Sequence, residues 1–153
     1  MILKNENDIY IYFETIAQLE PKTILDVGMF LKRIGSVSRK AMDGGVPEDV
    51  RLDGVDFFPD TDFPVWKTIY HTIFEKSFFD KKNAFRYDLA VCLGFREIQK
   101  KESDCFPMMK QIGQSARHLL TDMGEEQWGL YWPKARGIDL NVEKDSYFLL
   151  DLR

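Results

Sequence analysis

Near its start, the chain repeats apolar residues at helical spacing. Ile9, Tyr12, Phe13, Ile16 and Leu19 form such a series and predict an amphipathic helix from about residue 7. The proline at position 21 disfavours helical geometry at the residue before it, so the helix is expected to end there. The next apolar run, residues 23–27, is short and rich in branched side chains. Such a run is typical of a parallel strand that is covered on both faces.

The remaining pattern alternates between helix-like and strand-like segments. Helices are predicted over residues 34–42 and 104–121, with a brief helix over residues 62–66. Further strands are predicted over residues 51–58, 68–74, 85–93, 128–132 and 146–152, although residues 68–74 fit a helix almost as well. This alternation indicates an α/β fold, a three-layer sandwich around a mostly parallel sheet. Because no clear helix separates the last two strands, an antiparallel edge strand is allowed for.

Length and composition narrow the class of protein. A chain of 153 residues predicts a single domain over residues 1–153, and 44% hydrophobic with 30% charged residues is typical of a soluble globular protein. The net charge of −4 provides no general attraction for nucleic acid, so nucleic-acid binding is not indicated. No apolar stretch is long enough to cross a membrane, and we expect a cytoplasmic protein. Two cysteines and two histidines without close spacing give no support to a metal site.

Two acids lie where predicted strands end. Asp26 is the polar exception in the first strand, Gly28 allows a sharp turn after it, and Asp56 lies near the end of the second strand. Ligands of open α/β sheets bind beyond the carboxyl ends of the strands, which makes these residues candidate contacts. Each also has a purely structural interpretation, because such a domain needs a turn there and a strand-end acid can simply be solvated.

Two cations follow the first turn. Lys32 and Arg33 precede the predicted helix, where free backbone N–H groups favour anions, so they could bind a phosphate or carboxylate. The alternative is an ordinary charged loop. Glu97 and His71 have side chains that could accept a proton from a substrate, but their positions relative to a substrate do not follow from the sequence.

Residues 19–28, Leu-Glu-Pro-Lys-Thr-Ile-Leu-Asp-Val-Gly, resemble the lead-in and first motif of the class I S-adenosylmethionine (SAM)-dependent methyltransferases. Gly54-Val55-Asp56 resembles the family's second strand, residues 87–91 its fourth strand, and residues 116–123 the helix before its fifth strand. The resemblance implies a Rossmann-like fold and SAM as cofactor. It assigns cofactor binding to Asp26, Gly28 and Asp56, the last through the ribose hydroxyls, and it assigns no catalytic residue.

The chain also departs from the family pattern. Residues 29–33, Met-Phe-Leu-Lys-Arg, stand where the family's turn continues with glycines, and the family's closing pair of strands is not recognised at the end of the chain. One hypothesis is an enzyme that transfers methyl from SAM to an unidentified acceptor. The alternative is a non-catalytic, degenerate module that binds another small ligand or a partner protein. A third hypothesis is an anion or nucleotide binder. A homodimer is also considered, with the aromatic run at residues 128–132 as its contact.

Overall fold

The computed structural model describes residues 6–34, 40–41, 44–57, 66–75, 86–101 and 106–152. Its helices, in chain order, are α1 (Glu6–Leu19), α2 (Phe30–Arg33), α3 (Trp66–Ile69), α4 (Phe95–Lys101), α5 (Phe106–Ser115) and α6 (Glu125–Tyr131). Its strands are β1 (Thr23–Val27), β2 (Lys40–Ala41), β3 (Gly44–Gly45), β4 (Arg51–Asp56), β5 (Thr72–Glu75), β6 (Tyr87–Cys92), β7 (Ala116–Thr121), β8 (Arg136–Val142) and β9 (Asp145–Asp151).

Within these described ranges, seven strands form one sheet in the order β5-β4-β1-β6-β7-β9-β8. The pairs from β5 to β7 are parallel, whereas β9 pairs antiparallel with both β7 and β8. This confirms the predicted α/β fold, a mostly parallel Rossmann-like sheet with antiparallel strands at one edge. Because β1 pairs with both β4 and β6, the strand order reverses there, and the crevice beyond the carboxyl ends of these strands is the usual ligand position in such sheets.

Alternation along β1 divides the core between the two faces of the sheet. Leu25 packs with α4, α5 and α6 residues on one face, and Ile24 packs with α1 and α3 residues on the other. Both side chains are fully buried, as expected of a strand that is covered on both sides. Helices therefore cover both faces of the sheet, which makes a three-layer sandwich. The switch point between β4, β1 and β6 lies near the centre of the sheet.

Several elements agree with the sequence pattern. The first helix, the strands at β1, β4 and β6, and the terminal strand at β9 are confirmed, each with small shifts at the ends. Residues 68–74 contain the end of α3 followed by most of β5, so both interpretations of that ambiguous run were partly right. The helix predicted over residues 34–42 is wrong at Ile34, which caps α2, and at Lys40–Ala41, which is a strand; residues 35–39 and 42 lie outside the described part. Residues 62–65, where a brief helix was predicted, also lie outside the described part.

The last third of the chain contains the larger corrections. The helix predicted over residues 104–121 ends at Ser115, and Ala116–Thr121 is the central strand β7; its resemblance to a family helix was therefore wrong. The segment at residues 128–132 is not a strand, because α6 extends to Tyr131 and buries Trp128 against the sheet. The strand β8, an edge strand whose residues are mostly exposed, was missed. With β9 it supplies the closing strand pair that the sequence had not revealed.

Candidate functional site

The structure brings the three candidate residues to one edge of the sheet. Asp26 is the fourth residue of β1 and pairs in register with Gly54, while Asp56 is the last residue of β4. Gly28 follows β1 with a φ of 87° and donates its N–H to the Val55 carbonyl at 2.8 Å. A left-handed φ of this kind favours glycine, so the sharp turn explains why Gly28 stands there. All three residues thus lie at the switch-point crevice.

Asp26 is fully buried and serves the protein's own turn. Its Oδ1 accepts a hydrogen bond from the Phe30 N–H at 2.9 Å, and its Oδ2 accepts from the hydroxyls of Tyr70 at 2.6 Å and Tyr12 at 3.2 Å. Burial raises the pKa of Asp26, and these donors, together with the charge of Arg33, oppose that rise. The carboxyl group therefore fixes the start of α2 and reaches no solvent in this arrangement.

Lys32 forms an ion pair with Asp56, the acid at the end of β4. Its Nζ lies 2.9 Å from the Asp56 Oδ2, and the two side chains are only 6% and 19% exposed. A buried ammonium group is costly unless it is paired, so this contact explains how Lys32 can point inward. Asp56, the residue that the family resemblance assigns to the ribose, is thus engaged by the chain itself.

Arg33 fills the space between the ends of β1 and β6. It is 5% exposed, its Nε donates to the Gly28 carbonyl at 2.9 Å, and its Nη2 donates to the Leu93 carbonyl at 2.5 Å. Gly94 has a φ of 71°, and a Cβ added to it would overlap the Arg33 Nη1. The absence of a side chain at Gly94 therefore makes room for the guanidinium group.

A further acid supports this loop. Asp122, just after β7, accepts hydrogen bonds from the backbone N–H groups of Gly94 at 2.9 Å and Phe95 at 3.3 Å. Burial raises the pKa of Asp122, while those N–H groups and the charge of Arg33 lower it. Asp8 in α1, which accepts from the Tyr147 hydroxyl, also has a pKa raised by burial and lowered by the Arg33 charge. The positive charge of Arg33 therefore acts on three buried or partly buried acids around the crevice.

The sequence could have suggested Asp122 only if β7 had been recognised. The residue then reads as another strand-end acid, but its segment was assigned to a helix. The bulky residues of the turn divide between the core and the crevice. Met29 packs against the position of Gly54, and Phe30 stacks on Tyr12 at 5.1 Å, so both belong to the core. Lys32 and Arg33 are the side chains that enter the crevice.

Of the two candidate proton acceptors, the structure describes the side chain of one, and it lies away from this site. His71 precedes β5 at the opposite, amino-terminal edge of the sheet, where its Nδ1 lies 3.6 Å from the Asp53 Oδ1 and its side chain is 58% exposed. Glu97 belongs to α4, but its side chain lies outside the described part. Among the described residues, no group of three acidic, histidine or cysteine side chains could hold a metal ion. No described helix is both long and apolar enough to cross a membrane.

The arrangement does not fit SAM as it stands. SAM offers hydrogen-bond donors, an ammonium group and two ribose hydroxyls, and needs acceptors to receive them. Three acceptors at the crevice, the Asp56 carboxylate and the carbonyls of Gly28 and Leu93, already receive donors from Lys32 and Arg33. A cofactor at these acceptors would compete with two cationic side chains that are more than nine-tenths buried.

Solved structures of methyltransferases share this fold. An N-methyltransferase from Bradyrhizobium japonicum superposes with a TM-score of 0.55 at 11% identity, over 95% of this chain and 93% of that one. A protein described as a putative caffeoyl-CoA O-methyltransferase from Staphylococcus aureus gives 0.56 at 12% identity, over 99% and 85%.

The magnesium protoporphyrin IX methyltransferase from Synechocystis, solved with SAM bound, gives 0.53 at 11% identity, over 94% and 75%. No family model matches the sequence, and no curated protein sequence matches it. Identities this low establish a common fold and leave activity to be argued from the crevice itself.

Proposed function

We propose that this chain, which has the fold of the class I methyltransferases, acts as a non-catalytic binding module and not as a methyl transferase. The observation that supports this function most directly is the position of Arg33, whose guanidinium bridges the carbonyls of Gly28 and Leu93 at the switch point. A side chain in that place competes with any cofactor for the same acceptors. The fold is retained, and the crevice serves the stability of the chain.

Energetics support the proposal. Removing one partner of a buried ion pair costs about 3–5 kcal/mol, and hydrogen bonds to charged groups contribute about 1.5–3 kcal/mol each. A cofactor that displaced Lys32 and Arg33 would have to regain these contributions before any net affinity appeared. Methyltransferase activity with ordinary cofactor affinity is therefore disfavoured by the chain's own contacts.

Calorimetric titration of the wild-type protein with SAM and with S-adenosylhomocysteine tests this function. We expect no saturable heat and no rise in melting temperature at ligand concentrations up to about 1 mM, which corresponds to a binding free energy weaker than about −4 kcal/mol. Asp56→Ala provides the control for binding at the ribose acid. Saturable binding by the wild type that disappears in Asp56→Ala would contradict the proposal and favour an enzyme.

A SAM-dependent methyltransferase is the second candidate. It is supported by the likeness to solved methyltransferases over nearly the whole chain, one of them with SAM bound, and by the partial exposure of Asp56. Methyl transfer needs chiefly the alignment of acceptor, methyl and sulfur, so an absent catalytic side chain would not prevent it. Under this hypothesis the cofactor is SAM, Asp26, Gly28 and Asp56 line its site, and the acceptor is unidentified.

A partner protein is the ligand class that the surface favours. Large apolar side chains of Phe106, Leu130 and Ile138 are 55%, 79% and 61% exposed. One such partner would be a second copy of this chain. Sedimentation velocity over a range of concentrations tests the homodimer, because a single species of monomer mass at about 100 μM would contradict it.

A further inference from the structure

We infer that Lys32 and Arg33 act as an internal ligand: their side chains satisfy the acceptors of the switch-point crevice in place of a cationic, hydroxyl-bearing molecule such as SAM. This inference rests on the proposed function and deepens it, because it names the side chains that occupy the crevice and the class of ligand that could bind in their place. The two residues are called the internal cation pair below.

The first step concerns Lys32 and the acid that receives it. The α2 helix begins directly after the turn, so Lys32 lies close to the end of β4, and its Nζ approaches Asp56 Oδ2 at 2.9 Å. A strand-end carboxylate can receive a pair of vicinal hydroxyls, which are also donors. The ammonium group therefore occupies an acceptor of the kind that such a ligand would use.

The second step concerns the two carbonyls that receive Arg33. The Gly28 carbonyl belongs to the turn after β1, and the Leu93 carbonyl follows the end of β6, so both lie beyond the regular sheet ladder. A buried carbonyl without a donor is unfavourable, and Arg33 supplies one donor to each. An α-ammonium group carries three N–H donors and could donate to the same two carbonyls.

The third step concerns the shape of the space. Gly28 and Gly94 both have left-handed backbone conformations, and Arg33 lies against both. A Cβ at Gly94 would overlap Arg33 Nη1, whereas one at Gly28 would meet Ile98 Cδ1 at 3.0 Å and Arg33 Nη2 at 3.4 Å. The two glycines, which have no side chains, therefore form a cradle that holds the guanidinium group.

The fourth step concerns charge. Burial raises the pKa of Asp8, Asp26 and Asp122, and the charge of Arg33 opposes that rise in each, so its positive charge acts on three acids around the crevice. Replacing Arg33 by alanine would remove that charge, and the guanidinium group, from beside Gly28 and Gly94. The emptied crevice should therefore select a cationic ligand and reject anions, which is the reverse of the anion site that the sequence suggested for Lys32 and Arg33.

The test is a gain of binding. Lys32→Ala/Arg33→Ala, checked for folding by circular dichroism, is titrated with SAM, S-adenosylhomocysteine and ATP by calorimetry. We expect SAM to bind with a Kd of about 10–100 μM, at least tenfold tighter than the wild type, and ATP not to bind. Adding Asp56→Ala to this variant should abolish the gain. Lys134→Ala/Arg136→Ala removes the same charge from exposed positions and is expected to bind no ligand.

Each outcome has a distinct meaning. If the folded double variant binds SAM no better than the wild type and the wild type does not bind, the internal ligand is refuted while the proposed function stands. If the wild type itself binds SAM with micromolar affinity, both fail. If the exposed-charge control gains binding equally, net charge explains the effect and the inference is refuted.

Two measurements keep the inference open to test if the double variant does not fold. Lys32→Ala and Arg33→Ala are then titrated singly, and a folded single variant without any gain in SAM affinity refutes it. In the wild type, nuclear magnetic resonance should show that the Arg33 Nε–H exchanges slowly with solvent and is unchanged by about 1 mM SAM. A rapidly exchanging Nε–H would mean that the guanidinium does not occupy the cradle.

Discussion

The ion pair between Lys32 and Asp56 gives the most direct test of the crevice geometry. We propose to measure it by a double-mutant cycle with Lys32→Met, Asp56→Asn and the combined variant, which remove charge while keeping most of the side-chain volume. At 2.9 Å and an effective dielectric constant of about 20, the Coulomb attraction is about 6 kcal/mol. Dehydration of Lys32, which is 6% exposed, offsets much of this attraction.

The net coupling should therefore be about 1–3 kcal/mol, above the range of exposed pairs and below that of a fully buried pair. Asp56 remains 19% exposed and can be partly hydrated when its partner is removed, which sets the upper limit. Each single variant should lose a similar amount of stability. The combined variant should be more stable than the sum of the two losses implies, because neither charge is then left alone.

Urea unfolding followed by tryptophan fluorescence provides the free energies, provided that the m-value stays constant across the four proteins. Lys134→Met, at an exposed position, is the control and should change stability by less than about 0.5 kcal/mol. Raising the salt concentration to about 1 M should reduce the coupling only partly, since buried pairs are weakly screened. A coupling within about 0.3 kcal/mol of zero would refute the inward position of Lys32.

Three further predictions concern two glycines and Asp26. Gly94→Ala should lower stability by about 1–3 kcal/mol in urea unfolding, and the loss should shrink in an Arg33→Ala background; an equal loss in both backgrounds would contradict the contact. Gly129→Ala lies inside α6, where the new Cβ meets no described atom within 4 Å apart from the backbone of the helix itself and the adjacent residues. This substitution should instead stabilise by up to about 1 kcal/mol, and a clear loss would contradict that open environment.

Burial raises the pKa of Asp26, so its contribution to stability is present below the ordinary pKa near 4 and is lost as pH rises through the raised value. Unfolding free energies from about pH 3 to 8 should therefore fall with pH in the wild type relative to Asp26→Asn, and parallel profiles would show that the carboxyl pKa is not raised.

The sequence predicts an element correctly where its hydrophobic pattern agrees with the burial of its residues in the structure. At β1, three of five residues are apolar and four are buried, so pattern and burial agree. At β7 they conflict, because Met108, Met109 and Ile112 set a helical period in α5 that Leu119 and Leu120 continue. The helix passes into the strand without a proline or an internal break, since Ser115 and Ala116 are adjacent, and no local signal marks the boundary.

Two further segments were assigned wrongly. In β8, Ile138, Leu140 and Val142 alternate with polar residues, so a strand pattern is present in the sequence and was overlooked; most residues of this edge strand are exposed. Its register is fixed by its partner, because Leu140 pairs with Tyr147 and Gly137 with Leu150 in β9. The aromatic run at residues 128–132 was wrongly assigned to a strand. In the structure, Trp128 packs on the core from a helix, and Tyr131 and Trp132 are partly buried beside it.

The crevice shows why site residues are harder to infer than strands. Asp26, Gly28 and Asp56 were correctly placed at one edge, since the ends of parallel strands meet whatever the side chains are. What the sequence could not supply was the direction of Lys32 and Arg33, which depends on acceptors from strands distant in the chain: Asp56 in one case, Leu93 in the other.

A parallel sheet always presents carbonyls and often acids at its carboxyl edge, and these acceptors need donors whether or not a cofactor is used. In a methyltransferase fold the donors can come from a bound ligand or from the chain. Here α2 starts immediately after the turn and carries two cations that reach those acceptors, so the polar requirement of the edge is met internally. Under the proposed function, the fold persists without the chemistry, because the hydrophobic layers specify the sheet and the internal cation pair supplies donors to the acceptors at its edge.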